Sequence, residues 1–478
     1  MKKPKHEIIV AGKAWHGKDN RPVVNPWTGK AFAEVAYAGP DQLEAAIAGA
    51  AAAAKEMRRA SRARRSGWCL AIAQALEARK EEFAQTMMAE SGKPIRLARD
   101  EVTRAVSTFT FAAHEALRYG GEVVPLDVTA VSAGYQGMTQ RFGAGPVAAI
   151  TPFNFPLNLV AHKVAPALAV GNPVILKPAP NTPLTSLLLS EVVLEAGVPP
   201  AGFSCLNLDV PDIEKLVDDP RVPIISFTGS AKVGWGLRGR AAHKKVILEL
   251  GGNASVIVHS DANLEHALPR LAGGGYAYAG QVCISVQHIL VERSIYADFL
   301  EGYLAEVAKL KVGDPGQEST LVGPLIRPQE ADRLAEWVQE AVEAGATLHC
   351  GGKMQGPCML PTVLSGVPAD AKIGCEEVFG PITTVDPYDT WEEAVDKVNS
   401  SKYGLQAGVF TRDLERVLSS WEELECGAVV VNDYPTFRVD NMPYGGIKQS
   451  GAGREGVAYT MEEMSEPRLL VLNRNPLR

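Results

Sequence analysis

Several short loops in this chain carry side chains able to do chemistry, and each follows or precedes a run that reads as a β-strand. Cys283, in GQVCIS (280–285), lies between the small-residue segment AGGGYAYAG and a strand-like run, which points its thiol to a cleft rather than a core. A thiolate is strongly nucleophilic near neutral pH, and a thioester formed on it remains hydrolysable. Glu249 ends the strand KVILEL and opens ELGGN (249–253), so an ionisable group emerges where glycines let backbone and ligand approach closely. Asn154, in TPFNFPLN (151–158), sits between prolines that fix the direction of its amide. Lys177 opens KPAP (177–180) after PVIL. Ser230, with Gly229 and Gly234, follows FTG and opens a helix whose first N–H groups can bind a pyrophosphate. Each has a plainer reading: a small buried hydrophobe for the thiol, an Asx turn before Pro156 for Asn154, a solvated strand-end acid for Glu249, a surface lysine for Lys177.

The elements that must position these loops follow from periodicity. Ala-, Leu-, Glu- and Arg-rich stretches predict helices over 41–58 and 61–88, with Asp41 and Ser61 as N-caps, and a third over 94–119. Residues 121–142 alternate apolar and polar between glycine clusters, which predicts an extended arm or edge ribbon. From Gly145 to Leu250 short apolar strands alternate with helices, the rhythm of a doubly wound parallel sheet, whose ligands sit at the carboxyl ends of the strands. The alternation resumes after Gly251 with helices over 262–280, 294–311 and 328–345, a second α/β unit. LLVLNR near the end reads as a strand that completes an edge or crosses to a partner.

Length and composition bound the rest. With 478 residues the chain implies two or three domains at roughly 100–200 residues each. Its net charge of −7 argues against general nucleic-acid affinity and favours a small-molecule partner. The basic start MKKPK lacks the apolar run of an export signal, and prolines and Lys163 break the longest apolar stretch, so neither a leader nor a membrane span is expected. Seven scattered cysteines without a C-x-x-C signal neither a disulfide framework nor a metal site, which implies reduced thiols and a cytoplasmic setting.

Taken in order, these motifs, with EEVFGP (376–381) and PYGGIKQSG (443–451), resemble the aldehyde dehydrogenase superfamily over essentially the whole chain. The resemblance implies an α/β fold: a Rossmann-like dinucleotide-binding domain (1–120 and 143–250), a catalytic α/β domain (251–441) and a small β oligomerisation arm (121–142 and 457–478). It makes Cys283 the nucleophile toward the aldehyde carbon, Asn154 the oxyanion donor and Glu249 the base that activates water. Hydride passes to NAD or NADP. Lys177, Ser230, Gly229 and Gly234 then belong to the dinucleotide site together with Thr151, Pro152, Leu250 and Gly251, while Glu377 and Phe379 hold and pack the nicotinamide ribose and ring. Many NAD-preferring relatives carry an acid where this chain has Pro180, so a 2′-phosphate is not repelled and both cofactors are expected. GAGREG (451–456) matches G-x-G-x-x-G but lacks a preceding apolar strand, and is assigned to a loop near the substrate pocket and subunit contact.

For the substrate, Phe155 belongs to the same loop as Asn154. Asn158 and His162 share the helix face that continues from it, where apolar-substrate relatives have a large aromatic at the histidine. Arg104 and Arg438 are similar to arginines that grip anionic substrates in the glyceraldehyde 3-phosphate and phosphonoacetaldehyde branches; a packed histidine and a surface arginine are the plainer readings. Val282 replaces a further arginine usual in those branches. A small hydroxylated aldehyde or a carboxylated semialdehyde is therefore expected, with a homodimer or homotetramer as the assembly. A coenzyme A-acylating enzyme, against which Glu249 speaks, and a non-catalytic member of the fold are the alternatives.

Overall fold

A computed structural model describes residues 4–474, so the first three residues of MKKPK and residues 475–478 of the expected arm lie outside the described residues. The short apolar runs build two large, mainly parallel sheets. The centre of the first, eight-stranded sheet runs Lys245–Glu249, Ile224–Thr228, Val147–Ile150, Val174–Lys177 and Phe203–Cys205 in spatial order. These strands are covered on both faces, which is why they read as continuous rather than alternating apolar runs. Their register matters most: Ile150 pairs with both Lys177 and Phe227, and Thr228 pairs with Glu249. Four neighbouring strands thus end at one level.

The second sheet has seven strands, among which Ser255–Val258, His288–Glu292 and Ile382–Tyr388 lie side by side and parallel. Ser255 pairs with His288 and His288 with Thr384, so the loops carrying ELGGN, GQVCIS and EEVFGP all enter this sheet at adjacent amino ends. A separate antiparallel ribbon joins Val123–Pro125, Tyr135–Gly143 and Ser465–Asn473. LLVLNR therefore pairs with the 121–142 segment of its own chain, Ser465 opposite Gly143 through Asn473 opposite Tyr135.

Several expected boundaries move. The helix expected over 61–88 is two helices, Arg62–Ala78 and Lys80–Ser91, which meet at Arg79, whose φ of −105° and ψ of 20° break the ladder. Ser61 caps the first of these by accepting from the Arg64 N–H at 3.2 Å. Asp41 is not an N-cap: the preceding helix is Pro40–Arg59, capped at Gly39, whose N–H donates to Gln42 Oε1, because Pro40 is suited to the first helical position. The helix expected over 262–280 ends at Tyr276, and Tyr278, Ala279 and Gly280 turn into the left-handed region with φ of 55°, 54° and 67°. In GAGREG, Gly451–Ala452 forms a short strand antiparallel to Leu248–Glu249 and makes an edge of the first sheet.

The helix Asn158–Val170 follows the Asn154 loop and is buried along its whole length. Its leading N–H groups cannot reach water, so they need a protein acceptor. Glu101, on the neighbouring helix Ile95–Arg118, supplies it: Oε1 accepts from the N–H groups of Leu157 and Asn158 at 2.9 and 3.0 Å. The other oxygen, Oε2, binds the buried ammonium of Lys93, which lies 3.8 Å from the centre of the Phe155 ring. Removing Glu101 strands both a buried cation and two N–H groups. Glu101→Ala is expected to destabilise the protein by about 3–5 kcal/mol, and Lys93→Met with Glu101→Gln to recover most of that loss, measured by denaturant unfolding.

Candidate active site

The carboxyl ends of the first sheet meet the amino ends of the second, and the chemically loaded loops lie at that seam. Asn154 is buried, and its Nδ2 donates to the carbonyl of Gln281 at 3.0 Å, which fastens the TPFNFP loop to the GQVCIS loop. Gly252 touches the same loop: a Cβ there would lie 2.9 Å from the carbonyl oxygen of Cys283. Asn154, Glu249 and Cys283 therefore stand on loops that meet at this seam. Strained backbone lies beside them, since Tyr278, Ala279 and Phe379 are non-glycine residues with positive φ.

Cys283 is half-buried in a small apolar cluster with Phe155, Val282, Ile284, Leu405 and Tyr444. Burial pushes its thiol up to about 11, opposed by a hydrogen bond with the Tyr444 hydroxyl at 3.0 Å. Glu249 is 2% exposed and neither carboxyl oxygen has a hydrogen-bond partner. Burial, with the nearby Glu455 charge second, raises its pKa well above the usual range; Arg438, Lys163 and Arg454 only partly oppose this. Gly445 leaves space for it, because a Cβ there would approach Glu249 Oε1 to 2.9 Å. A carboxyl group with raised pKa, free oxygens and room around it suits proton transfer.

Glu455 was not singled out by sequence, nor was Lys163, and both are fully buried. Lys163 Nζ binds Glu455 Oε1 at 2.9 Å and Arg438 Nη2 binds Oε2 at 3.1 Å. Burial alone would raise this carboxyl, but Lys163 and Arg438 outweigh it and hold Glu455 at about 2. A lysine within the apolar helix LVAHKVAPALAV was the available signal, and a glutamate inside the GAGREG decoy was its partner.

The expected polar residues of the pocket converge on a further residue that sequence missed, Asp440. Its Oδ1 accepts from Arg104 Nη2 at 2.8 Å, Asn158 Nδ2 at 2.9 Å and His162 Nε2 at 2.9 Å. Burial opposes ionisation of Asp440, but His162 and Arg104 hold it well below the ordinary carboxylate range. His162 is driven neutral by burial and by Arg438. With Nε2 assigned as the donor to Asp440, its Nδ1 is a buried acceptor without a partner. Arg104 remains 30% exposed beside Phe155, whereas Arg438 is buried, with its guanidinium 3.6 Å from the Tyr444 ring centre and bound to Glu455. Of the two arginines, Arg104 is the one reachable from solvent.

The remaining residues form a cradle on the first sheet. The Lys177 side chain is buried and its ammonium has no hydrogen-bond partner among the described residues, and burial lowers its pKa to about 8. Thr151 donates its N–H to the Lys177 carbonyl at 3.1 Å, with Pro152 following it. Ser230 caps the helix Ala231–Arg240 through backbone alone, leaving its side chain free. Cβ atoms at Gly229 and Gly234 would meet the Phe227 ring at 2.6 Å and Leu250 Cδ2 at 2.4 Å. Leu250 in turn donates its N–H to the Ser450 carbonyl. Glu377 is raised to about 7 by burial, against the opposing N–H of Gly252, and occupies the space a Cβ at Gly251 would need, 2.2 Å from Oε2. Phe379 meets Phe153 edge-on at 5.8 Å. Pro180 is exposed and offers no charge. An unpaired buried ammonium, a free helix N-terminus and a carboxylate across the seam fit a bound NAD(P).

The sheet pair, the thiol loop and this cradle define the aldehyde dehydrogenase family, whose model matches residues 15–470; the chain belongs to that family and is an NAD(P)-dependent aldehyde dehydrogenase. It is 45% identical to 3-sulfolactaldehyde dehydrogenase of Priestia megaterium over 467 residues, covering 98% of each chain. Among solved structures, aldehyde dehydrogenase 21 from Physcomitrella patens, in complex with the reaction product succinate, superposes with a TM-score of 0.97 at 42% identity, covering 99% of each chain. The glyceraldehyde-3-phosphate dehydrogenase GapN from Methanocaldococcus jannaschii, complexed with NADP, gives 0.91 at 38% identity over 95% of this chain and 100% of that one.

Because Asp440 is a shared acceptor, its neutral isostere should loosen all three donors together. Asp440→Asn is expected to cost about 1–3 kcal/mol of stability. In a double-mutant cycle with His162→Ala the two effects should be non-additive by about 0.5–3 kcal/mol, read by denaturant unfolding.

Proposed function

We propose that the protein oxidises a short aldehyde bearing a hydroxyl or anionic group to the carboxylic acid, with Cys283, Asn154 and Glu249 as the reacting set. The observation that carries this reading is Glu249: a buried, partnerless carboxyl group beside the thiol loop suits hydrolysis of a thioester rather than its transfer to another thiol. Bound NAD(P) supplies the oxidant, and Lys177, Ser230 and Glu377 would hold it, with Pro180 leaving room for either cofactor. In the protein's own part, the Cys283 thiolate adds to the aldehyde carbon. The developing oxyanion is received by the second Nδ2 hydrogen of Asn154 and the backbone N–H of Cys283. After oxidation to the thioester, Glu249 in its ionised form takes a proton from water as that water adds to the carbonyl, and collapse releases the acid and the thiolate.

Polar substrate preference is supported by charge. Arg104 is paired with Asp440, while Arg438 and Lys163 share Glu455, and both of these carboxylates stay ionised. The two clusters together carry one excess positive charge, and Arg104, beside Phe155, is the cation among them that solvent reaches. The similar proteins named above, a 3-sulfolactaldehyde dehydrogenase, an aldehyde dehydrogenase in complex with its product succinate and a glyceraldehyde-3-phosphate dehydrogenase, carry the names of small anionic molecules. Val282, in place of an arginine, favours a hydroxyl or carboxylate over a phosphate.

We also propose the division of labour implied by the motifs: residues 1–120 and 143–250 bind the dinucleotide, 251–441 carry the catalytic thiol, and 121–142 with 457–478 join copies into a dimer or tetramer. Leu469, Leu470, Val471 and Leu472 are 52, 52, 48 and 41% exposed along the ribbon, an apolar surface suited to a second copy.

Reduced-nicotinamide production should be fastest with lactaldehyde, glycolaldehyde or succinic semialdehyde and slowest with an aromatic aldehyde, and Cys283→Ala should lower it on the order of a thousandfold or more; an aromatic preference would refute the polar pocket. With its pKa raised, Glu249 is protonated at low pH, so turnover should climb as pH rises through that pKa. Glu249→Gln should remove its share of the climb, leaving the part due to Cys283 ionisation, and slow turnover by roughly 10²–10⁴-fold. Light scattering should give two or four times the chain mass of 51.1 kDa, with Leu470→Asp shifting it toward 51.1 kDa.

A further inference from the structure

The hydroxyl of Tyr444 has no part in the chemistry above. Its ring packs with Phe155, Val282, Ile284 and Leu405, where a phenylalanine would fill the same volume. Tyr444 is 3% exposed, and among the described residues the only hydrogen bond of its Oη is to Cys283 Sγ, at 3.0 Å. Burying a hydroxyl is unfavourable unless it is bonded, so the sulfur is the reason for its presence. The tyrosine is also firmly held. Its N–H donates to the Glu455 carbonyl at 3.0 Å, and the Glu455 N–H donates back to the Tyr444 carbonyl at 2.6 Å. On one face of the ring lies the Arg438 guanidinium, 3.6 Å from its centre, itself tied to Glu455 at 3.1 Å. A cation against an aromatic face draws electron density from the ring and makes the phenol a stronger donor.

We propose that Tyr444 is a positioning residue for the nucleophile: its hydroxyl donates a hydrogen bond to Cys283 Sγ, which favours the thiolate and fixes the sulfur's direction, while Arg438 polarises the donor from the ring face. The inference rests on Cys283 being the nucleophile. Tyr444 keeps its own proton, because burial raises its phenol well above the ordinary range. The sulfur needs such a donor, since burial opposes its ionisation and the facing carboxyl groups Glu377 and Glu249 oppose it further; among its neighbours, Tyr444 and Arg438 act in the other direction. Tyr444→Phe deletes one of these influences at constant packing and leaves Glu249, Glu377 and Arg438 in place.

The test is the pH dependence of iodoacetamide labelling of the full-length protein, without aldehyde, read peptide by peptide by mass spectrometry. In Tyr444→Phe the midpoint for Cys283 should rise by about one pH unit, and labelling at pH 8 should fall about tenfold. The half-buried Cys375 serves as an internal reference and should keep its wild-type profile. An unchanged Cys283 midpoint, even with uniformly slower labelling, would reduce Tyr444 to packing and overturn the proposal. So would equal shifts at Cys283 and Cys375, which would report general loosening of the fold. Because labelling needs no turnover, this result is separate from the aldehyde assay of Cys283→Ala: retained oxidation in that variant would sink the nucleophile assignment and leave the measured sulfur–phenol bond standing.

Discussion

One buried carboxylate, Glu455, must stay ionised where no water reaches it, and the chemistry of the cleft is arranged around that constraint. Lys163 approaches from the buried helix and Arg438 from the loop ahead of PYGG, and together they outweigh burial. With a negative charge fixed there, Glu249 cannot comfortably hold a second one nearby without a donor of its own. The two acids are driven apart, one an ionised anchor and the other a proton carrier. The same charge also immobilises Arg438, and through it the ring that reaches the sulfur. Asp440 does for Arg104, Asn158 and His162 what Glu455 does for its partners, so the polar side of the pocket is a pair of anion-centred clusters rather than a row of independent groups.

A related device sets the loops themselves. Helices buried along most of their length cannot leave their leading N–H groups to solvent, and two glutamates from adjacent helices reach over to cap them. Glu101 does so for Asn158–Val170, while Glu90 accepts from the N–H groups of Leu184 and Thr185 and from the Thr185 hydroxyl at the start of Pro183–Glu195. Burial pushes Glu90 up to about 7. These acids act on parts of the chain far away in sequence, and they hold the strand-following loops at the height that sheet register assigns them.

This explains what was legible in the sequence. Strand-end residues could be found because their signal is local: an apolar run followed by a chemically able side chain and a glycine identifies Glu249, Lys177 and the 227–230 loop without knowledge of the fold. Cys283, Asn154 and Glu377 gained weight from order along the chain. Their pairing partners did not, because Glu101, Asp440, Glu455 and Tyr444 matter only once tertiary contacts exist, and even Tyr444, inside the PYGGIKQSG motif, gives no local sign that its hydroxyl reaches the sulfur. Arg438 shows what resemblance leaves out: a guanidinium similar to those that grip anionic substrates is tied within the protein to Glu455 and lies across Tyr444. The break at Arg79 and the early end at Tyr276 were equally hidden, since composition there continues to favour helix.

The left-handed backbone at Tyr278, Ala279 and Phe379 has a consequence for how the enzyme should fail on heating. Each such residue carries on the order of 1–3 kcal/mol of conformational strain, sustained only while the surrounding packing is intact. The loops holding the thiol and Glu377 carry three of these residues close together and therefore have much to gain from relaxing. Heat should disorganise this seam while most of the secondary structure persists, giving an inactivation temperature below the melting temperature and, if the sheets reseat the loops on cooling, a reversible interval between the two.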